Sequence, residues 1–525
     1  MTRLQAITAA LGIALAFCAM TIFHLDAQGA YYDELHQAPA AFSYVGKHPA
    51  MFAWTYFDLP SLNMSYSGAI KSAIYGLVLK YVHPHFSVYS WRLLGIVLAA
   101  AGVFGFCWIA GPLIPTTGVL AFAALLITDI TTIVLTRHDW GPVALALALR
   151  LLFLGTWLSI ELKQPATYKY AVAGFIIGLA IFEKLSSVVM LVPFLILLRG
   201  SRSQRAWMAA IAGMLIGAVP LIRANMHTYR VSGTLVSFSD VAGHAPIHAQ
   251  AIASYAFQYL SLGAGELARS AVLGEGTNSF FVTAEAGLIM ALLLVIATAA
   301  LHLQANRLLH LAGVMTTSYA LIGIALLLLP RPTYFHHWII GTPFQYCAIA
   351  LAAPALDAMS KQKIRHAAKY RVILLASVGT LIVLRLSNVA TAEVSLVSGK
   401  GSPGFDPGFS QLVEIARAQS KNAFFIAADW GTATQIYCGS DGEEDTVDEP
   451  FWSAEPAVAA LQMAGKTKKP IVYVVRSGLP QPWAEVSKTI LAAIKHSPDW
   501  QEIPLDNNFG KLGPIEIHKF QRASK

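Results

Sequence analysis

Residues 91–110 read WRLLGIVLAAAGVFGFCWIA, an apolar run of the length that an α-helix needs to cross a bilayer. Similar runs recur along the chain, which has 525 residues, of which 56% are hydrophobic and 13% are charged. An ordinary soluble domain has about 25% charged residues, so a soluble protein is excluded. Splitting the runs at polar breaks predicts a polytopic α-helical membrane protein with about eleven spans, which begin near Leu4, Trp91, Gly118, Gly141, Tyr170, Ser186, Ala206, Ala284, Leu308, Trp338 and Val372.

The sequence after residue 390 is more polar and contains no further run long enough to span a bilayer. Short apolar stretches at 423–428 and 470–475 predict buried strands, and another strand is predicted at 513–520. The segments 409–420 and 483–495 have the apolar spacing of helices. Two domains are therefore predicted: a transmembrane domain, residues 1–390, and a C-terminal extracytoplasmic α/β domain, residues 391–525.

The distribution of basic residues predicts the orientation, because cytoplasmic loops are enriched in Lys and Arg. Arg3 precedes the first span and favours a cytoplasmic N-terminus, although small residues at 27–30 leave a cleaved signal peptide as the alternative. The loops then predicted inside are basic and carry Lys163, Lys169, Arg199, Arg202, Arg205, Arg307, Lys361, Lys363, Arg365, Lys369 and Arg371. This bias accounts for much of the net charge of +8 without a nucleic-acid partner. A bacterial inner membrane with a periplasmic C-terminal domain is the favoured location.

Three long segments lie outside in this topology: 26–90, 224–283 and 391–525. In the first segment, apolar residues recur at helical spacing over 70–81, with Lys71 and Lys80 off the apolar stripe. This pattern predicts a helix that lies in the membrane interface, and 247–273 contains a similar stretch. Any chemistry is expected on this outer face.

An acidic pair, Asp33-Glu34, follows the first span directly after Tyr31-Tyr32. Two adjacent carboxylates at a low-dielectric boundary have pKa values that are pushed apart, which leaves one of them able to act as a general base. The alternative is a solvated acidic pair that caps the start of a helix.

A second polar group lies in the turn 136–142, which places Arg137, His138, Asp139 and Trp140 between two spans. The alternative to a functional role is an N-cap by Asp139 with ordinary interfacial anchoring by Trp140. Asp129 and Arg150 lie about ten residues before and after this turn, so they are predicted to form a structural ion pair at one depth in the membrane. The Gly174-xxx-Gly178 and Gly213-xxx-Gly217 patterns predict close helix packing.

These residues together resemble the GT-C superfamily of membrane glycosyltransferases. The resemblance rests on Tyr31-Tyr32-Asp33-Glu34, on the segments 67–72 and 137–142, and on Gly178-Leu179-Ala180-Ile181-Phe182-Glu183-Lys184. Within the superfamily, the chain is most similar to the branch of the protein O-mannosyltransferases and the lipid A aminoarabinose transferase, a glycosyltransferase family 39-like group. The resemblance covers about residues 1–390 and implies a helical bundle with interfacial helices in the first outer loop.

The resemblance also implies a function, which is transfer of a sugar from a polyprenyl-phosphate donor on the outer face of the membrane. Asp33 matches the catalytic carboxylate, Glu34 its acidic neighbour and Asp139 the second acidic position. The turn departs from the DxD or ExD pattern that binds metal in the oligosaccharyltransferase branch. No cofactor is therefore assigned, although a divalent metal is left open.

The combined hypothesis is an inverting glycosyltransferase in which Asp33 takes the proton of an acceptor hydroxyl. The leaving phosphate needs cations, and those available near the outer surface are Lys71, Arg92, Arg137 and Lys184. The residues predicted to line the substrate are Tyr31, Tyr32, His138, Trp140, Tyr334, His336 and His337.

The partners expected are a polyprenyl-phosphate-linked sugar, the lipid bilayer and an acceptor that is a glycan, a lipid or a protein. The C-terminal domain is predicted to cover the site as a roof whose own fold needs little help from the membrane. A transporter or flippase of lipid-linked saccharides is the alternative function, since it would explain the many spans and a mid-membrane arginine.

Overall fold

A computed structural model describes residues 2–47, 54–56, 59–238, 249–303, 306–329, 333–479, 484–505 and 512–523. The part before the C-terminal domain is helical, with α1 Arg3–Ile22, α2 Tyr32–Leu35, α3 Ile70–Tyr81, α4 Val88–Ala110, α5 Thr116–Ile127, α6 Ile130–His138, α7 Val143–Leu162, α8 Thr167–Glu183, α9 Leu191–Arg199, α10 Gln204–Gly217, α11 Val219–Ser232, α12 Ala249–Leu260, α13 Glu266–Leu273, α14 Ser279–His302, α15 Arg307–Leu327, α16 Phe335–Trp338, α17 Thr342–Lys361 and α18 Ala367–Val397. Three short antiparallel strands lie in the first outer loop: β1 Trp54–Tyr56, β2 Leu59–Met64 and β3 Ser67–Gly68.

Six of the described helices are long and apolar enough to cross a membrane, namely α1, α4, α7, α14, α15 and α18. The number rises to eight if the bent pairs α5–α6 and α10–α11, with angles of 62° and 61°, each count as one span. The chain is a multi-pass membrane protein, but the predicted eleven spans are not confirmed. The three remaining predicted spans correspond to α8, with 17 residues, to the shorter segment 185–199, and to α17, which has 20 residues but does not count as apolar enough to span.

Glycines allow the closest helix contacts, as the two Gly-xxx-Gly patterns predict. A Cβ at Gly174 or Gly178 would collide with the backbone carbonyl of Ala210 or Met214 on α10. In the same way, a Cβ at Gly213 or Gly217 would collide with backbone atoms of α8. Small residues therefore bring the backbones of α8 and α10 into contact.

The predicted ion pair between Asp129 and Arg150 is wrong. Asp129 caps the start of α6, where its carboxylate accepts hydrogen bonds from Thr132 N at 2.9 Å and from the Tyr346 hydroxyl at 2.5 Å. Arg150 instead donates to the backbone oxygen of Ile339 at 3.3 Å. A buried pair that the sequence does not indicate joins Arg385 and Glu285 at 2.6 Å.

Helix α3 matches the predicted interfacial helix, but its polar residues determine how it packs. Its protein-facing side consists of Lys71, Ser72, Tyr75, Gly76 and Leu79, all buried. The apolar stripe lies on the other side, where Leu77 is 49% exposed and Tyr81 is 72% exposed. An apolar face turned away from the protein is what a helix at a membrane surface needs. The start of α3 is fixed by Glu183 at the end of α8, whose carboxylate accepts from Ile70 N at 3.2 Å.

The C-terminal domain is a five-stranded sheet with helices on it. Its elements are α19 Gly408–Gln419, β4 Ala423–Ala427, α20 Ala433–Gly439, β5 Val447–Asp448, α21 Pro456–Lys466, β6 Ile471–Arg476, α22 Ala484–Lys495, β7 Trp500–Ile503 and β8 Glu516–Arg522. The strand order is β5-β4-β6-β8-β7, with β4 parallel to both β5 and β6 and the other pairs antiparallel. All five predicted elements are present, whereas α20, α21, β5 and β7 are additional.

The C-terminal domain shares a hydrophobic core with the first outer loop. Val413, Ala427 and Tyr437 from the domain pack in one cluster with Phe42 and Trp91 from the membrane part. Part of the apolar surface of the domain is therefore covered by the first outer loop and α4, a contact that the sequence did not predict. The predicted boundary at residue 390 falls inside α18, which ends at Val397.

Candidate active site

Asp33 lies in α2, a four-residue helix that follows the first span. Its side chain is half-buried, and its Oδ2 accepts a hydrogen bond from Trp140 Nε1 at 3.1 Å. Burial raises the pKa of Asp33 to about 6, against the opposing effects of the Trp140 hydrogen bond and the Lys184 charge. A carboxylate with this pKa is ionised at neutral pH and is a stronger base than an ordinary aspartate.

Glu34 holds the loop that carries Asp33. Its two carboxylate oxygens accept from Arg92 Nε at 2.6 Å and Nη2 at 2.8 Å, and both side chains are buried. The same guanidinium donates to the backbone oxygens of Leu25, Gln28 and Gly29. Glu34 and Arg92 therefore fix the chain between the first span and α2, and neither side chain is available for a reacting group.

Asp139 lies in the sharp turn between α6 and α7, with a left-handed φ of 43°. Its carboxylate accepts from Lys71 Nζ at 2.6 Å and from Ala144 N at 2.8 Å in the first turn of α7. Lys71 Nζ also lies 3.8 Å from the centre of the Trp91 ring. The predicted capping role of Asp139 is thus present, together with a fully buried ion pair that joins α3 to this turn.

Three of the four cations that the sequence predicts for phosphate binding are occupied by other groups of the protein. Lys71 and Arg92 are paired with Asp139 and Glu34, and Arg137 donates to the backbone oxygens of Thr21, Phe23 and His24. These three side chains hold the outer loops together. Lys184 is the remaining one, and its charge acts directly on Asp33.

Lys184 is buried, and its Nζ donates to the backbone oxygen of Gly141 at 2.7 Å. Burial and the nearby charge of Arg150 lower its pKa to about 7, although Asp139 and Asp33 act in the opposite direction. Arg150 itself is 1% exposed, and its Nε and Nη2 have no hydrogen-bond partner among the described residues. Lys184 therefore lies within electrostatic reach of both Arg150 and Asp33.

Trp140 is surrounded by aromatic rings. Tyr31 lies 4.9 Å from it and Phe405 5.4 Å, measured between ring centres, and the His336 ring is stacked on it at 5.7 Å. Burial lowers the pKa of His336 well below its usual value and that of His337 to about 3, so both rings are neutral at pH 7. This packing holds the indole in the position from which it bonds Asp33.

A pocket with a volume of about 290 Å³ opens beside Tyr31 and Trp140, between the first outer loop and the C-terminal domain. It is lined by Tyr31, Tyr32, Trp140, Ala271, Ser402, Gly404, Phe405, Phe409, Trp430, Gly431, Ser477 and Leu479. Three of the predicted substrate-lining residues, Tyr31, Tyr32 and Trp140, are among them. The others are not: His138 is buried against Phe405, and Tyr334 is 58% exposed next to His336.

Comparison with known proteins shows which solved structures share the fold of this chain. No family model and no curated protein matches the chain. Among solved structures, ArnT from Cupriavidus metallidurans in the apo state has a TM-score of 0.57 at 10% identity, over 98% of this chain and 97% of that one. The same protein bound to undecaprenyl phosphate gives a TM-score of 0.57 at 11% identity, over 98% and 97% of the two chains. The arabinofuranosyltransferase AftD from Mycobacteria matches with a TM-score of 0.52 at 14% identity, over 100% of this chain and 42% of that one.

The chain shares the fold of ArnT and AftD. The predicted resemblance to GT-C proteins is therefore confirmed at the level of fold, and the shared fold includes the C-terminal domain, since the ArnT match covers 98% of the chain. Within this GT-C fold, the described residues include no group of three or more His, Cys, Asp or Glu side chains placed to hold a metal ion.

The sequence predicted that the C-terminal domain covers the candidate site, but it did not indicate which residues of that domain line the pocket. Phe405 follows α18 in a short turn, and Trp430 follows the end of β4. The signal available in the sequence was that Trp430 follows a predicted strand, because ligands of open α/β sheets bind beyond the carboxyl ends of parallel strands. Applied to the predicted strand at 423–428, that rule would have indicated Trp430.

Proposed function

We propose that this protein transfers a sugar, with inversion, from a polyprenyl-phosphate donor to a hydroxyl of an acceptor at the outer face of a membrane. The observation that carries the proposal is Asp33, a carboxylate with a pKa raised to about 6 that is bonded to Trp140 of the aromatic pocket and lies within electrostatic reach of buried Lys184. The GT-C fold supports it, since ArnT was solved bound to undecaprenyl phosphate.

The proposed reaction needs one base and one stabilised leaving group. Asp33 takes the proton of the acceptor hydroxyl while that oxygen forms a bond to the anomeric carbon of the sugar. The bond from the anomeric carbon to the phosphate oxygen breaks on the opposite side, and its electron pair leaves with the polyprenyl phosphate. Asp139 and Glu34 are positioning residues in this scheme, because each is occupied by a buried cation.

The cations proposed to receive the phosphate are Lys184 and Arg150. Lys184 lies within electrostatic reach of both Asp33 and Arg150. Arg150 has two nitrogens without partners in the described part of the chain, although leaving a buried guanidinium uncompensated is costly. A phosphate supplies acceptor oxygens for both side chains and would remove that cost. This assignment replaces Lys71, Arg92 and Arg137.

The proposed orientation places the N-terminus in the cytoplasm and the C-terminal domain outside, in the periplasm of a bacterial inner membrane. The basic loops support it, and the contact of the C-terminal domain with Tyr31 and Tyr32 puts that domain on the same side as Asp33.

The test is a transfer assay with the purified full-length protein in lipid nanodiscs. Undecaprenyl phosphates that carry a radiolabelled pentose or hexose serve as donors, with membrane-extracted glycans as acceptors. Release of free undecaprenyl phosphate together with label in the acceptor is expected for at least one donor. Movement of an intact donor between leaflets of proteoliposomes, without cleavage, would instead support the flippase alternative, for which the buried Arg150 is the favouring feature.

A further inference from the structure

The aromatic pocket lies at the point of the C-terminal sheet where the order in which the chain adds strands reverses. Strand β4 has β5 on one side and β6 on the other, and both neighbours are parallel to it. Because the chain goes from β4 to β5 and then returns to β6, a crevice forms beyond the carboxyl ends of β4 and β6. Trp430 and Gly431 come after β4, and Ser477 and Leu479 come after β6, and all four line the pocket.

The chemistry of the lining restricts the ligand. None of the twelve lining residues, all of which the structure describes, has a charged side chain. The larger surfaces are aromatic, from Tyr31, Trp140, Phe405 and Trp430, with serine and glycine between them. Sites of this kind bind ligands that have an apolar face and a polar edge.

The groups behind the lining are acidic. Asp33 is bonded to Trp140 on one side. On the other side Glu449 acts electrostatically on Tyr32, and burial raises the pKa of Glu449 to about 7. Asp429 lies under the pocket, where its carboxylate accepts from Ser477 N at 3.0 and 2.9 Å. The lining offers no cation to pair with an anionic ligand, and the carboxyl groups behind it disfavour negative charge, whereas Lys184 and Arg150 are assigned to the proposed donor site.

Glycine at two positions keeps the pocket open. A Cβ at Gly404 would come within 3.1 Å of the Tyr31 ring, so a larger residue there would press on the pocket wall. Gly431 has φ of +107°, a conformation that side chains with a Cβ rarely adopt. The backbone at both points therefore approaches the pocket without a side chain to fill it.

We propose that this pocket binds an uncharged saccharide, the acceptor, by stacking its ring between Trp430 and the aromatic group around Trp140. The volume of about 290 Å³ suits a sugar unit rather than a lipid with several chains. The assignment of this sugar as acceptor rests on the proposed function. The proposal distinguishes this chain from an enzyme that modifies a phosphorylated lipid, because such an acceptor would bring negative charge to a pocket whose lining has no cation to pair with it.

The test is saturation-transfer difference NMR on the nanodisc protein, which detects binding without turnover. The probes are methyl α-mannoside, methyl β-glucoside and a β-1,4-linked glucan trisaccharide as neutral saccharides, glucose 6-phosphate and glucuronic acid as anions, and glucosamine as a cation. We expect at least one neutral probe to bind and the anions to bind at least about tenfold more weakly. Stronger binding of an anion or of glucosamine, or no binding of any neutral probe, would overturn the proposal.

Two variants of Trp430 test whether the neutral probe binds in this pocket. Trp430→Ala should weaken binding of the neutral probe about tenfold, and Trp430→Phe, which keeps a ring, should largely retain it. Leu461→Ala is the control, since that side chain is 37% exposed on the same domain outside the pocket. Equal effects of Trp430→Ala and Leu461→Ala would place the sugar elsewhere and reject the pocket. If neutral probes bind in the pocket but no donor is cleaved, the proposed function fails while the saccharide site stands.

Discussion

The indole nitrogen of Trp140 donates a hydrogen bond of 3.1 Å to Oδ2 of Asp33, although the two residues are 107 positions apart in the chain. This bond joins the two outer features, the acidic pair and the turn after α6, into one site. The hydrogen bond favours the charged form of Asp33, while burial opposes it. The balance leaves a base whose strength suits neutral pH.

The first prediction is that Asp33→Asn abolishes most of the transfer. The change preserves size and removes the base, so kcat should fall roughly 10²- to 10⁴-fold. Asp26→Asn is the matched control, because Asp26 lies in the same loop and is exposed. Both proteins should keep their thermal stability and their donor binding. Near-normal turnover by the Asp33→Asn protein would remove this carboxylate from the role of base.

The second prediction concerns pH. Asp33 must be ionised, so kcat/KM should fall below pH about 6. Trp140→Phe keeps an aromatic ring but removes a bond that favours the ionised form, so the pKa of Asp33 should rise and the acid limb should move to higher pH. Trp452→Phe removes the indole bond to Glu449 and should leave the limb unchanged. The measurement is the pH dependence of kcat/KM for the three proteins, and an unmoved limb in Trp140→Phe would contradict the assignment.

The third prediction compares two buried arginines. Arg150→Met removes an uncompensated charge, so the donor-free protein should be as stable as the parent or more stable, while KM for the donor rises about tenfold or more. Arg385→Met should behave in the opposite way, because it leaves Glu285 without its partner and should cost about 3–5 kcal/mol of stability. Thermal unfolding in nanodiscs and donor titrations measure both effects. A large loss of stability in Arg150→Met would indicate that Arg150 is a structural residue and not a phosphate ligand.

Much of the fold could be predicted because it depends on local patterns. Apolar runs indicated the spans, helical spacing indicated α3, and short apolar stretches indicated β4 and β6. Asp33 and Trp140, which the structure joins by a hydrogen bond, could both be selected from the sequence because each lies beside a recognisable span end. These signals require no knowledge of which elements are neighbours.

The predictions that are wrong concern which side chains contact each other in the folded protein. Asp129 and Arg150 were matched by depth alone, but the rise per residue does not determine which way a side chain faces, and Asp129 lies at the break where α5 and α6 bend by 62°. Lys71, Arg92 and Arg137 were counted as available because no sequence pattern pairs a cation with a carboxylate or carbonyl far along the chain. Lys71 and Asp139, for example, are separated by 68 positions.

Contacts between distant parts of the chain were also missed in the C-terminal domain. Its strands were predicted, but its shared core with Phe42 and Trp91 was not. In the sequence, the apolar residues of each part are indistinguishable from those of a separate hydrophobic core. Truncation after Val397 would expose this core. A substitution at the contact is therefore a better test of whether the C-terminal domain covers the acceptor side of the site than removal of the whole domain.

The last prediction is such a change. Asp441 holds the C-terminal domain to the loop before α4, since its carboxylate accepts from His85 Nδ1 and from Phe86 N, both at 2.7 Å. Asp441→Ala should cost about 1.5–3 kcal/mol, the contribution of hydrogen bonds to a charged group, and should raise hydrogen exchange in the loop 82–87. Because the pocket lies between this domain and the first outer loop, KM for the acceptor should rise, while KM for the donor, which depends on Lys184 and Arg150, should not. Glu443→Ala is the control: it breaks the partly exposed pair with Lys47 and should cost less than about 1 kcal/mol. An equal rise of both KM values in Asp441→Ala would mean that the domain supports the whole site rather than the acceptor side.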